Sequence, residues 1–251
     1  MLAICSAMRS VQTSQTAKQS ILLRSHMLKM SLLSQRATDC SIKAYALNCS
    51  ELCKQVNRVK QEVSKLGLCI GDRGRSLLAA EIDSHSLLAC CSLRIYSALR
   101  IIVMAAIEIA HNTQVIAARG RKTEFPQTVK AGELVNGLVR LCSVALFQQE
   151  ISLAKKILQV EGGRRKFELM QHRARLDLLR RSDTDCRREM AVINCIGHIA
   201  EQSYEIADEL ILCLEGSGPG FAAAGQRLNS EAVTAGLRVI HAGNWRVCSS
   251  A

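Results

Sequence analysis

The sequence predicts an all-α protein made of two tandem three-helix bundles. Helix-forming residues dominate the 251-residue chain, in which Pro126 and Pro219 are the only prolines and aromatic residues make up 3%. Apolar residues recur at helical steps through most of the chain. A basic, proline-containing stretch near the middle divides this pattern into two similar halves. A chain of this length can bury the large core that such a fold requires.

We expect a flexible tail and then three helices in the first half. The first helix is predicted over about residues 20–47. The second lies in "ALNCSELCKQVNRVKQEVSKLG", where apolar residues from Leu52 to Leu66 follow at steps of four, three, four and three. Gly67, Gly71 and Gly74 are expected to weaken or end it.

The third helix is predicted over about residues 87–118, the most apolar part of the chain. Arg94, Arg100 and Glu108 interrupt this run, and a membrane span of about 20 residues rarely tolerates three charges. We therefore expect a buried helix and no membrane span.

The stretch "RGRKTEFPQ", residues 119–127, is predicted to connect the two halves. Three further helices are expected over about 129–146, 151–181 and 186–214, and a C-terminal tail is predicted to contain one short helix over about 229–241. The predicted divisions are a tail over 1–19, a first bundle over 20–118, a connector over 119–127, a second bundle over 128–216 and a tail over 217–251.

A short internal repeat supports the division into halves. "LCKQVNRV", residues 52–59, matches "LAKKILQV", residues 153–160, at Leu, Lys, an aliphatic position and Val. Each stretch follows an Ala-Leu pair that ends a helix. Two copies of a three-helix bundle account for this arrangement.

The net charge of +11 makes the chain attractive to anionic surfaces, which include acidic proteins, nucleic acids and anionic lipids. The twelve cysteines form no Cys-x-x-Cys pair, so they are interpreted as mostly buried apolar residues in a reducing, cytoplasmic compartment. The first 38 residues contain no Asp or Glu. They resemble an organellar transit peptide, although a disordered start leading into the first helix is the simpler interpretation.

An acidic stripe on the last predicted helix is the candidate metal site. His198, Glu201, Glu205 and Asp208 follow at steps of three, four and three, about 200 degrees away from the apolar seam of that helix. Hard cations and iron require oxygen donors from several helices, and one helix supplies too few. We expect a solvated face and no cofactor, with iron or zinc bound at His198 and Glu201 as the alternative.

Basic residues concentrate in 164–188, and Lys166, Arg173 and Arg180 share one helical face at a spacing of seven. This face is a candidate for binding an acidic partner or nucleic-acid phosphates, with a solvated surface as the alternative. Nucleic acid is the less favoured partner, because only Phe167 lies nearby as a stacking platform. No nucleophile motif and no phosphate loop are present, so we expect a non-enzymatic protein.

Three segments resemble the PhoU family of phosphate-signalling proteins, which are built of two tandem three-helix bundles. They are "ALNCSELCKQVNRVKQEVSKLG", "ALRIIVMAAIEIAHNTQVIAARG" and "INCIGHIAEQSYEIADELILCLEG", and the resemblance covers about residues 20–216. Leu99-Arg100 stands at the family's Asp-Leu-Arg motif, with Ala98 in place of the acid. The family's Asn-Ile-Ala-Glu-Glu ending reads Glu205 to Glu209.

The metal-cluster motif of the family, Glu or Asp followed four residues later by Asp, is degraded in this chain. It falls on Gln114 and Ala118 in the first half and on Gly197 and Glu201 in the second. The resemblance implies a regulatory adaptor of phosphate uptake that contacts a transporter ATPase subunit and a sensor histidine kinase, with a homodimer as a further candidate assembly. A basic helical nucleic-acid-binding protein is the alternative.

Overall fold

The computed structural model describes residues 2–79, 83–119, 126–159, 161–179 and 186–216, without the side chains of 2–14, 83–86, 161–166 and 216. Every element in these ranges is an α-helix, which confirms the predicted fold class. The helices are α1 (Leu2–Leu47), α2 (Ser50–Leu78), α3 (Asp83–Ala118), α4 (Pro126–Gln148), α5 (Ile151–Gln159), α6 (Glu161–Leu179) and α7 (Cys186–Gly216).

Helix α1 corrects the expectation of a flexible tail over residues 1–19, because it begins at Leu2. The segment is rich in Ser and Thr, which suggested a loose start, but residues 2–47 contain neither Gly nor Pro. Without a breaker, the helix that packs from about residue 16 onward extends toward the N-terminus.

Helix α2 corrects the expectation that its glycines end it, because the helix continues to Leu78. A Cβ atom on Gly67 would lie 2.1 Å from Oη of Tyr96, and one on Gly74 would lie 2.8 Å from Cδ2 of Leu93. Both contacts are made with α3, so these two glycines permit a close approach of the helices. The cost in helix propensity is offset by this packing.

In the second half, the predicted helix over 151–181 is present as two helices, α5 and α6, with Val160 outside the described residues. Helix α4 begins at Pro126, a position where the missing N–H of proline costs nothing. Helix α7 agrees with the prediction to within two residues at its end. The connector residues 120–125 and the tail over 217–251 lie outside the described residues.

The first helix of each half ends in the same kind of turn. Asn48 follows α1 and Gln149 follows α4, and each has a φ of 52°, the left-handed conformation that closes a helix. These turns are separated by the same number of residues as the matching stretches 52–59 and 153–160. The local conformation therefore repeats in register with the sequence.

Helices α1, α3, α4 and α7 form the centre of the molecule. Helix α2 packs on α1 and α3, whereas α5 and α6 pack on α4 and α7. The principal contacts between the halves join α3 to α7 and α1 to α4. One continuous apolar core runs through both halves, from Leu23 in α1 to Leu210 in α7.

Polar contacts also join α1 to α4. The carboxylate of Asp39 accepts hydrogen bonds from Nζ of Lys43 (2.8 Å) and Nδ2 of Asn136 (2.8 Å), and Nη2 of Arg140 lies 3.2 Å away. Partial burial raises the pKa of Asp39, but the hydrogen bonds from Lys43 and Asn136 outweigh it and hold the pKa below its ordinary value.

Helix α3 was predicted to be buried, and its segment Leu87–Ala118 is long and apolar enough to cross a membrane by length and composition. In the structure this segment contacts α1, α2 and α7. Its apolar residues therefore serve mainly as core, as the sequence predicted, although one side of the helix is exposed.

Five of the ten described cysteines are buried, namely Cys53, Cys91, Cys142, Cys195 and Cys213, while Cys69 and Cys90 are exposed. Burial raises the pKa of the Cys142 thiol to about 12. The buried thiols therefore behave as small apolar side chains at neutral pH.

Candidate partner-binding surface

Helices α3 and α7 lie side by side in antiparallel directions. Nη1 of Arg94, near the start of α3, lies 2.8 Å from Oε1 of Glu209, near the end of α7. At the opposite end, Nη1 of Arg188 donates to Oδ1 of Asn112 over 3.4 Å. The last helix of each half is thereby brought to this junction.

Arg94, Ile101 and Glu108 are seven residues apart and lie on the same side of α3. Arg94 pairs with α7 as described. Burial raises the pKa of the Cys195 thiol on α7 to about 12, and the adjacent Glu108 carboxylate adds to this effect, so Glu108 also lies against α7. Ile101 therefore sits beside α7, between these two contacts.

The four residues of the predicted stripe are all exposed on α7, as the helical spacing indicated: His198, Glu201, Glu205 and Asp208. His198 and Glu205 lie one turn from Cys195 and Glu209, two of the α7 residues that lie against α3. The stripe consequently borders the exposed side of α3. We call this combined surface, made by Ile101, Met104, His198, Glu201, Glu205 and Asp208, the α3–α7 face.

No group of three or more His, Cys, Asp or Glu side chains that could hold a metal ion occurs among the described residues. Gly197, where the resemblance implies an acid, is buried, and a Cβ atom there would meet the terminal amide of Gln171. A larger side chain at this position would therefore require the Gln171 side chain to move. Binding of iron or zinc by His198 and Glu201 stays a prediction, which metal analysis of the purified protein against Glu201→Ala tests.

The basic face predicted on residues 164–188 is only partly described. Arg173 is exposed on α6, the side chain of Lys166 lies outside the description, and Arg180 lies outside the described residues. The neighbouring Arg175 donates from Nη2 to Oδ1 of Asn194 on α7 over 2.8 Å. Arg175 thus forms a hydrogen bond between α6 and α7. Partner binding by the basic face stays a prediction.

Sequence reasoning missed Ile101 and Met104. These side chains are 41% and 47% exposed, although α3 was expected to be a buried helix. A signal was available, because Arg94 and Glu108 lie one heptad to either side of Ile101 and mark that side of the helix as accessible. The acidic residues of α7 border the exposed apolar side chains on one side, in a chain whose overall charge is +11.

The architecture and the α3–α7 face define an all-α scaffold in which the last helices of the two halves, α3 and α7, pack together and leave an accessible surface along their junction. No protein-family model matches the sequence, and no curated protein matches it. Among solved structures, the fold is similar to the crystal structure of PhoU from Pseudomonas aeruginosa, with a TM-score of 0.73 at 18% identity. The match covers 80% of this chain and 99% of that chain.

Proposed function

We propose that this protein is a PhoU-like regulatory adaptor of phosphate uptake and phosphate signalling, which acts in the cytoplasm through protein contacts and has no enzymatic activity. The observation that carries the proposal is the structural similarity to PhoU over nearly the whole length of that protein. The three resembling sequence segments lie largely in α2, α3 and α7 and add to this support.

The proposed partners are a phosphate-transporter ATPase subunit and a sensor histidine kinase. An adaptor requires a surface on which a partner gains apolar burial, and the α3–α7 face offers Ile101 and Met104 for this purpose. Glu201, Glu205 and Asp208 give that face an acidic border. Its chemistry therefore favours a partner surface that combines apolar and basic side chains.

The surface is made by both halves of the chain, since α3 belongs to the first and α7 to the second. A partner that binds there contacts the junction directly and is sensitive to how the two helices are placed. This property suits a regulator that reports one binding event to a second partner.

The proposal is tested by capturing the transporter ATPase subunit and the cytoplasmic part of the sensor kinase from the same organism with the purified, tagged protein. We expect at least one of them to be retained, and deletion of the coding sequence to change phosphate uptake and the expression of phosphate-responsive genes. Capture of neither, together with an unchanged phosphate response, would refute the proposal.

The affinity of the same purified protein for DNA or RNA distinguishes the adaptor from the alternative, a nucleic-acid-binding protein. Affinity for DNA or RNA that falls steeply with salt, with a slope reduced by Arg173→Ala, is the result expected for that alternative. We expect weak binding that Arg173→Ala leaves unchanged.

A further inference from the structure

An apolar cleft opens at one end of the four central helices, where the two halves meet. Residues from α1, α3, α4 and α7 contribute to it, and half-buried Ser20, Arg24 and Gln149 add polar atoms. The cavity measures about 50 Å³. Its apolar lining includes Leu23, Leu28, Leu88, Ile95, Leu146 and Leu214.

The size of the cleft restricts its occupant. Pockets for small organic ligands commonly measure about 300–1,000 Å³. A cavity of about 50 Å³ accommodates parts of one or two apolar side chains instead. Such a cleft suits a peptide segment that inserts side chains and leaves its backbone at the surface.

The position of the cleft relative to the end of α7 indicates which segment this is. Leu214 lines the cleft, and α7 ends two residues later at Gly216. The chain then continues through 217–251, beginning with the sequence Ser-Gly-Pro-Gly, which favours a reversal of direction. The linker 217–232 spans up to about 50 Å when extended, so reach does not limit a return to the cleft.

The sequence beyond this linker has the pattern of a docking helix. Val233, Leu237 and Ile240 follow at steps of four and three, which places them on one side of the short helix predicted there. In isolation a helix of this length is marginal, so burial of this apolar side is required to stabilise it.

We propose that residues 233–245 dock on the cleft between α1, α3, α4 and α7 of the same chain, with Leu237 and Ile240 inserted among its leucines. The segment then covers the junction of the two halves and contributes to holding them together. This inference is independent of the adaptor function, because it concerns how the chain covers its own core.

Trp245 is the only tryptophan of the chain and provides the test. In the full-length protein we expect its fluorescence at shorter wavelength than that of free tryptophan and protected from acrylamide. Leu88→Gln, at a half-buried position in the cleft, and Leu237→Asp, which changes no residue of the seven helices, should each shift the emission toward that of exposed tryptophan. Leu134→Gln, an exposed position on α4 outside the cleft, should leave it unchanged.

Far-UV circular dichroism of each variant shows whether the helices are retained. Exposed emission in the unsubstituted protein would overturn the proposal. Protected emission that neither Leu88→Gln nor Leu237→Asp alters would overturn it as well, because the segment would then be buried elsewhere. Emission that changes on dilution would assign the cleft to a second copy of the chain and would also refute intramolecular docking.

Discussion

The hydroxyl of Tyr45 on α1 donates a hydrogen bond to Oε2 of Glu189 on α7, and both side chains are buried. The tyrosine is the third residue from the end of the first helix, and the glutamate lies in the first turn of the last one. Burial raises the pKa of Tyr45, with the Glu189 carboxylate as the second cause, so the phenol remains protonated and keeps donating. The contact joins the two halves at the opposite end from the cleft.

Tyr45→Phe should lower the free energy of unfolding by about 1–3 kcal/mol, because it removes a donor from a buried carboxylate. Urea unfolding measured by circular dichroism gives this value. Tyr96→Phe, at a half-buried ring on α3, is the matched control and should cost less. Equal effects of the two substitutions would show that the Tyr45 contact has no special role in stability.

The glycines of α2 should respond to alanine with opposite signs. Gly71 has no neighbour within 4 Å of an added Cβ atom, so Gly71→Ala should stabilise the protein by about 0.5–1 kcal/mol through helix propensity. At Gly74 the added atom meets Cδ2 and Cγ of Leu93 at 2.8 and 2.9 Å, and overpacking of about 1–3 kcal/mol should outweigh that gain.

Thermal unfolding of the two alanine variants tests this prediction. Stabilisation by both would mean that α2 and α3 separate easily at Gly74. In that case the glycine would not be required for close packing.

Stability should fall as the pH drops below about 6.5, with His26 as one cause. Partial burial, followed by the charges of Arg73 and Lys29, lowers the pKa of His26 below its ordinary value. Between the lowered and the ordinary pKa, the unfolded chain binds a proton that the folded protein does not. Acidification through this window therefore favours unfolding, whereas the contribution is fully present above it.

His26→Gln should reduce the slope of melting temperature against pH between about pH 5 and 7. Leu134→Gln, at an exposed position on α4, changes no titratable group and is the control, so it should leave the slope as it is in the unsubstituted protein. An unchanged slope in His26→Gln would assign the acid sensitivity in this range to other groups.

Ile101→Glu and Met104→Glu should weaken the capture of the proposed protein partner. Loss of a central apolar contact costs about 2 kcal/mol, which corresponds to roughly a 30-fold loss of affinity. Both positions are exposed, so we expect the free energy of unfolding to change by less than about 0.5 kcal/mol.

Leu134→Glu on α4, which is 47% exposed and lies outside the α3–α7 face, is the matched control for capture. Retained capture by Ile101→Glu and Met104→Glu, with loss in Leu134→Glu, would transfer the partner surface to α4. The adaptor proposal would survive that result, whereas the assignment of the α3–α7 face would not.

Helical periodicity determined where the stripe on α7 would lie. The seam and the acidic residues are separated by rotation about one helix, and this local geometry does not depend on other elements. The exposure of His198, Glu201, Glu205 and Asp208 follows the prediction for that reason. The helix ends at the two Ala-Leu pairs could also be predicted from the sequence, because a helix end and its turn depend on nearby residues.

Other features were not accessible to that reasoning. The glycines of α2 have a low helix propensity in any sequence, and only the positions of Tyr96 and Leu93 on α3 show why the helix continues through them. The start of α1 was misplaced because Ser and Thr residues suggested a tail, although no breaker was present.

The amino-acid sequence by itself determined that this protein is helical and which side of α7 faces solvent, and it predicted the division into two similar halves. Only the tertiary structure decided that the halves share one core and that Tyr45 contacts Glu189. It also decided that Ile101 and Met104 remain exposed on a helix that contributes many residues to the core. The physical reason is that periodicity and propensity act over a few residues. Contacts between α1, α3, α4 and α7 depend instead on how complementary surfaces far apart in the chain pack together.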